Sequence, residues 1–232
     1  MKCCVTLSAN AGVSIQSCGK KILADPFPRQ TVRGFSAISE DIYEKMLIHP
    51  AFCHPDLIFF THDHPDHYSR EMTNEWVTRY PGVKLLLPPE RAGFDPPEAN
   101  PVICGDISLR TISLPHGGEE YAAVPHRGCI INAPDGCMLL SGDCTKPCEA
   151  LERIASINRI DIAILNFSWI TLRTNREFLR SVLRPSHIVI NHIPFAEDDV
   201  YHYRKAAELS LRYFEEYDIR LLTEPLQSEI FS

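Results

Sequence analysis

Three histidines and two aspartates fall within the six positions His62 to His67 of this chain, in the run Thr61-His62-Asp63-His64-Pro65-Asp66-His67-Tyr68-Ser69. No other stretch limits the possible folds as much. The preceding residues, Asp56-Leu57-Ile58-Phe59-Phe60, form an apolar run with the character of a buried strand. Residues 70–80 read as a helix. The polar cluster therefore sits at the carboxyl end of a strand, on the turn into a helix, where open α/β sheets place their chemistry. Imidazole is the commonest metal ligand among side chains, and carboxylate is a frequent partner. His62 and His64, two apart on an extended turn, are placed to point at one ion; Asp66 and His67, at the helix start, reach a second. Without a cation, such a cluster would carry unpaired buried polar groups at high cost.

Further ligand candidates follow in order: His116 in Leu114-Pro115-His116-Gly117-Gly118, Asp143 in Leu140-Ser141-Gly142-Asp143-Cys144-Thr145, and His192 in Val189-Ile190-Asn191-His192. His126 competes with His116, since both precede the apolar run Gly128 to Asn132. His116 is preferred because it directly follows a strand and is followed by a glycine pair. The H-x-H-x-D-H run with these later residues resembles the signature of the metallo-β-lactamase-fold hydrolases. The likeness spans nearly the whole chain and is greatest to the short, single-domain hydrolases of the ascorbate-6-phosphate-lactonase-like type. It implies a four-layer αββα sandwich, where the pattern of strands and helices alone gives only α/β.

Length and composition agree with one domain over residues 1–232. Apolar content of 44% and charged content of 23% are ordinary for a globular protein. No apolar run approaches a membrane span, and the start, Met1-Lys2-Cys3-Cys4-Val5, lacks the apolar core of a signal peptide. A cytoplasmic protein without a membrane partner is expected. The net charge of −7 gives no basic field for nucleic acid. Nucleic acid is thus disfavoured as a partner, and a small-molecule substrate is expected. The nine cysteines include no C-x-x-C pair, and an odd count fits a reducing compartment. Cys144 and Cys148 flank the site; packing is the expected role of both.

Along the chain, residues 4–8, 12–18 and 20–24 read as a strand meander ending in Asp25-Pro26. Residues 26–55 are irregular around a helical patch at 40–47, and suit a substrate-facing loop. There, His49 and His54 lack ligand-like neighbours, and Arg29 and Arg33 are expected to be solvated. Strands are expected at 83–87, within 102–114, and in a hairpin of 128–133 and 137–141 around the Asp135-Gly136 turn. Residues 90–101 read as a proline-rich loop. Helices are expected at 146–158 and 175–184, with strands at 160–165 and 186–191. Trp169 stands where related hydrolases often carry a glycine-rich segment, and is read as a pocket wall or as core. A last helix follows Glu197, Asp198 and Asp199, with Val200, Tyr203, Ala207, Leu211 and Phe214 as its buried stripe and His202 exposed.

The resemblance implies a dinuclear centre of two divalent metal ions. His62, His64 and His116 would hold one ion, Asp66, His67 and His192 the other, and Asp143 would bridge them. Asp25 would support the ligands without binding metal. Zinc is the expected metal, with manganese or iron as alternatives. Asp66 and Asp143 are the expected catalytic carboxylates: a hydroxide generated at the metals attacks, and Asp66 orients it. The expected reaction is hydrolysis of a small ester, lactone or phosphoester. Alternatives are iron-dependent redox chemistry on the same fold, a phosphodiesterase or nuclease, and a non-catalytic metal scaffold. Diiron relatives typically carry an acidic residue where this chain has His64, whereas single-iron persulfide oxidisers keep histidine.

Overall fold

The computed structural model describes residues 2–89 and 100–232. Its strands are β1 (Cys3–Leu7), β2 (Val13–Ser17), β3 (Lys20–Ala24), β4 (Leu57–Phe59), β5 (Lys84–Leu86), β6 (Val102–Cys104), β7 (Ile107–Ser113), β8 (Arg127–Ala133), β9 (Gly136–Leu140), β10 (Ile162–Asn166), β11 (His187–Asn191), β12 (Asp218–Leu221) and β13 (Ser228–Phe231). Its helices are α1 (Glu40–Ile48), α2 (Arg70–Arg79), α3 (Glu149–Ile157), α4 (Ser168–Thr171), α5 (Arg173–Phe178) and α6 (Tyr203–Ser210).

The strands form two mixed sheets, ordered β13-β1-β2-β3-β4-β5 and β12-β11-β10-β9-β8-β7-β6. In the first, β1 to β3 are an antiparallel meander, and β3, β4 and β5 run parallel. In the second, β6 to β9 alternate direction and β9 to β12 are parallel. Side-chain alternation gives the second sheet two apolar faces. Cys129, Ile131, Met138, Leu140, Ile162, Ile164 and Val189 join one core with the first sheet. Their neighbours Ile130, Leu139, Ala163, Leu165, Ile188 and Ile190 join a second core with Leu151 of α3, Trp169 of α4 and Phe178 of α5. Met46 of α1, with Met72 and Trp76 of α2, belongs to the first core. The result is a layered α/β sandwich of two sheets with helices packed against them. Among the described residues no helix is long and apolar enough to cross a membrane.

Helix starts follow local chemistry. Ser39 and Ser69 cap α1 and α2, their hydroxyls accepting from the Ile42 and Met72 N–H groups. Several expected bounds shift. The helix expected at 146–158 starts at Glu149, after the Cys148 cap. The helix expected at 175–184 is instead α5 followed by a π turn, Leu179–Leu183, closed by Arg184 in the left-handed region before Pro185. Val200 is exposed and precedes α6, which starts at Tyr203, so the expected stripe begins too early. Leu211 lies in a 3-10 turn after α6. The closing strands β12 and β13 are additional to the expected elements: both are edge strands of only four residues. Most of the proline-rich loop expected at 90–101 lies outside the described residues.

Candidate metal centre

The cluster lies where carboxyl ends of strands from both sheets meet. Asp25 follows β3, the His62–His67 run follows β4, His116 follows β7, Asp143 follows β9 and His192 follows β11. The two sheets are tied together here. His192 N–H donates to the Asn10 carbonyl at 2.9 Å. Asn191 Nδ2 donates to the Ala11 carbonyl at 2.7 Å. Arg127 Nε donates to the Phe60 carbonyl at 3.0 Å.

Three groups of ligand-type atoms converge, each within 4.8 Å: His62, His64 and His116; Asp66, His67 and His192; and His62, His67 and Asp143. His62 and His67 are fully buried, and His116, Asp66 and His192 are nearly so. His49 and His54 lie in none of these groups.

Hydrogen bonds fix which atoms face inward. Asp25 accepts from Thr61 N–H at 2.7 Å and from the Thr61 hydroxyl at 2.6 Å, and lies 3.0 Å from His67 Nδ1. Thr61 Oγ1, its proton committed to Asp25, accepts from His62 Nδ1 at 2.9 Å. His116 Nδ1 donates to the Gly117 carbonyl at 2.6 Å. The Nδ1 atoms of His62 and His116 thus carry protons, and both Nε2 lone pairs point into the cluster. These two Nε2 atoms stand 3.3 Å apart. Two lone pairs at that distance repel unless a cation lies between them. A buried oxygen of Asp143, Oδ1, also has no hydrogen-bond donor.

The spacing suits a tetrahedral ion. Metal–nitrogen bonds of about 2.0–2.1 Å give ligand-to-ligand edges of about 3.3 Å. Observed separations are 3.3 Å for His62–His116, 3.2 Å for His67–His192, 3.3 Å for His67–Asp143 and 3.2 Å for His192–Asp143. Asp66 Oδ2 stands farther off, at 3.8 Å from His192 and 3.9 Å from His67. The residues present therefore fit divalent metal ions.

Electrostatics agree. Burial, with His67 next, holds His62 well below the ordinary imidazole range, which keeps its lone pair free. Burial also lowers His64, helped by His116. Burial opposes charge at His67 too, yet the Asp143 and Asp25 carboxylates outweigh it and raise this group. Asp143 stays ionised: burial works against its charge, but His192 and His67 pull its carboxyl well below the usual range. A field that favours a proton at this point favours a metal cation equally.

His126 has a different place from His116. It is buried, its Nδ1 donates to the Leu114 carbonyl at 3.1 Å, and its Nε2 accepts the Asp143 N–H at 2.9 Å. Both ring nitrogens are occupied, so it orients Asp143 and offers no lone pair to the cluster. Burial pushes it down to about 4. Gly142, at φ 52°, lets the chain turn against it.

Other supporting residues gave no sequence signal. Asn10 Nδ2 donates to Asp66 at both its carbonyl, 3.1 Å, and Oδ2, 3.2 Å. The segment after Asp143 is held from behind. Trp169 Nε1 donates to the Cys144 carbonyl at 2.7 Å, and Asn175 Nδ2 to the Thr145 carbonyl at 2.7 Å. Trp169 is thus core, not pocket wall. Cys144 is buried behind the cluster, and all nine cysteines are free thiols. Arg29 pairs with Glu40, and Arg33 lies over the Tyr201 ring, so neither reaches the cavity.

A cavity of about 460 Å³ opens onto the cluster. Val32 and Phe35, from the segment expected to face substrate, line it with Phe167, and Gly117, Gly118, Glu120 and Tyr121 also contribute.

No family model and no curated protein sequence matches the chain. Solved structures do match its fold. A possible metal-dependent hydrolase from Veillonella parvula is 16% identical, with a TM-score of 0.63 and 100% of each chain covered. An isothiocyanate hydrolase from Delia radicum gut bacteria is 16% identical, with a TM-score of 0.63, covering 98% of this chain and 99% of its own. The metallo-β-lactamase fold protein YhfI of Bacillus subtilis is 11% identical, with a TM-score of 0.58, covering 99% of both chains. Two mixed sheets layered with helices, and a His/Asp cluster where their strand ends meet, make this chain a metallo-β-lactamase fold.

Proposed function

We propose that this protein is a metal-dependent hydrolase with a dinuclear centre, most naturally zinc, acting on a small ester, lactone or phosphoester. The observation that carries the proposal is the inward-facing pair of His62 and His116 Nε2 lone pairs beside an Asp143 oxygen with no donor. His62, His64 and His116 would hold one ion and Asp66, His67 and His192 the other, with Asp143 between them. When bound, the ions supply Lewis acidity and a water nucleophile at neutral pH. Asp66 lines the cavity and is placed to orient that water and to accept its proton. Asp25 and Thr61 lock the rings of His67 and His62, and His126 holds the Asp143 backbone. The half-buried His64, where diiron relatives typically carry an acid, supports hydrolysis over redox chemistry. A lactone, as in the ascorbate-6-phosphate-lactonase-like type, is of a size that the cavity accommodates.

The test is elemental analysis of purified wild type and of His64→Ala and Asp143→Asn, with turnover of a lactone, carboxyl-ester and phosphodiester panel. About two zinc ions per chain, reduced in both variants together with turnover, is the expected result. Iron with oxygen uptake would move the assignment to redox chemistry. A wild type that takes up no metal would leave a scaffold.

A further inference from the structure

One cavity side chain has no part in holding the metals. Asn166 ends β10, between β9, which delivers Asp143, and β11, which delivers His192. It is buried and lines the cavity beside both. Its Oδ1 accepts from the Ser168 backbone N–H at 3.0 Å and from the Ser168 hydroxyl. A backbone N–H only donates, so the atom that meets it is the oxygen, and the amide orientation is fixed. Nδ2 has no acceptor among the described residues, and it is not a sealed, unsatisfied atom. It is a preorganised donor presented to the cavity.

Resting on the hydrolase assignment above, we propose that Asn166 is a catalytic residue whose Nδ2 donates to the carbonyl oxygen of a neutral acyl substrate, so that carboxyl esters and lactones, not phosphodiesters, are the substrates of this site. Water adds to the acyl carbon. The new C–O bond forms as the carbonyl π pair moves onto the oxygen facing Nδ2, and the water's proton passes to Asp66. On collapse that pair re-forms the carbonyl, the ester C–O bond breaks, and the alkoxide leaves with the bonding pair and takes the proton from Asp66. Asn166 exchanges no proton; it stabilises charge that exists only near the transition state.

The rest of the wall fits an uncharged substrate. Phe35 meets His192 edge-on, with ring centres 4.5 Å apart, and Tyr121 lies 5.1 Å from both His64 and His116. Outside the metal cluster the ionisable acid of the wall is Glu120, which repels anions. Among the described residues no lysine or arginine lines the cavity to receive a phosphodiester.

The experiment uses the zinc-loaded full chain. Asn166→Asp keeps the acceptor for Ser168 and removes the donor, and Asn166→Ala removes both. Turnover of 4-nitrophenyl acetate and of a γ-lactone should fall about 100- to 1,000-fold in kcat in each, with zinc content unchanged. Ser168→Ala, which removes one of the two donors to Oδ1 and leaves the backbone N–H, should fall less, and Ser168→Thr should restore the rate. A readout independent of turnover is the Asn166 side-chain amide resonance in 15N-labelled protein titrated with γ-butyrolactam, an unreactive neutral carbonyl. It should shift in the wild type and shift less in Ser168→Ala. An unmoved resonance up to the solubility limit of the lactam overturns the proposal. So do Asn166 variants within twofold of wild type on esters, or a wild type that prefers bis(4-nitrophenyl) phosphate. Failure of the hydrolase assignment looks different: no bound zinc, or no turnover of any substrate, with the lactam shift intact.

Discussion

Asp25 receives two hydrogen bonds from Thr61 and one from His67, and so sets the orientation of two rings at once. Partners of this kind typically contribute about 10- to 100-fold to metal affinity. Asp25→Ala should therefore weaken zinc binding by about that factor, read by competition with a chromophoric chelator; unchanged affinity would mean the rings are held by packing alone. His126 makes a pH-dependent contribution. Buried and neutral, it is pushed down to about 4, against about 6.5 for an ordinary imidazole. Between those values the unfolded chain binds a proton that the folded chain refuses. The stability this ring contributes is complete above about 6.5 and is lost as pH falls toward 4. Metal-free wild type should lose more urea stability between pH 7 and pH 5 than metal-free His126→Gln, which cannot titrate. Equal losses would show that His126 does not stay neutral. The motif residues themselves are legible because they are dense and fall just after an apolar run. The split between His116 and His126 rests on which nitrogens find carbonyl and N–H partners, which is a tertiary fact.

Elements deliver these residues through tight turns at strand ends, and the turn after β9 tolerates little change. A Cβ at Gly142 would fall 2.6 Å from His126 Nε2 and 2.9 Å from Thr61 Cγ2, at a φ of 52°. Gly142→Ala thus needs both a strained backbone and displacement of the ring that holds Asp143. We expect a loss of about 1–3 kcal/mol from backbone strain alone, together with loss of metal, measured by urea unfolding and elemental analysis. Normal stability and full metal content would show that the turn can rearrange freely. Behind the same turn, Trp169→Phe removes the donor to the Cys144 carbonyl and should cost about 1 kcal/mol in the same assay. Strand cores were legible as continuous apolar runs, since β8, β9, β10 and β11 are apolar on both faces. Element ends were not. The π turn of Leu179–Leu183 and the exposed Val200 depend on where Pro185 and the α6 start fall, and the edge strands β12 and β13, four residues each, are too short to stand out. Asn10 and Asn175 reach Asp66 and Thr145 across long sequence separations, and the Asn166–Ser168 contact is an ordinary local turn, so no local pattern marks any of them as site residues.

At the scale of the whole molecule, the proposed ligand set is divided between the two sheets. His62, His64, Asp66 and His67 follow β4 in the first, and His116, Asp143 and His192 follow strands of the second. Metal bound by this set would be a cross-link across the sandwich, added to the Asn191–Ala11 and Arg127–Phe60 hydrogen bonds. Ligand that binds only the folded chain stabilises it by about 2.7 kcal/mol at a hundred times the dissociation constant. For a chain of this length each kcal/mol moves the melting temperature by about 2–4 °C. Chelation should thus lower Tm by about 5–11 °C, reversed by added zinc. The cross-link also predicts where the loss falls. Hydrogen exchange should accelerate on chelation at Thr61 to His67 and at Asn191 to Ile193 together, because both are released by one event. Acceleration confined to one sheet, or a Tm insensitive to chelator, would mean that the sheets meet through the apolar core alone and that the cluster does not bind metal across them.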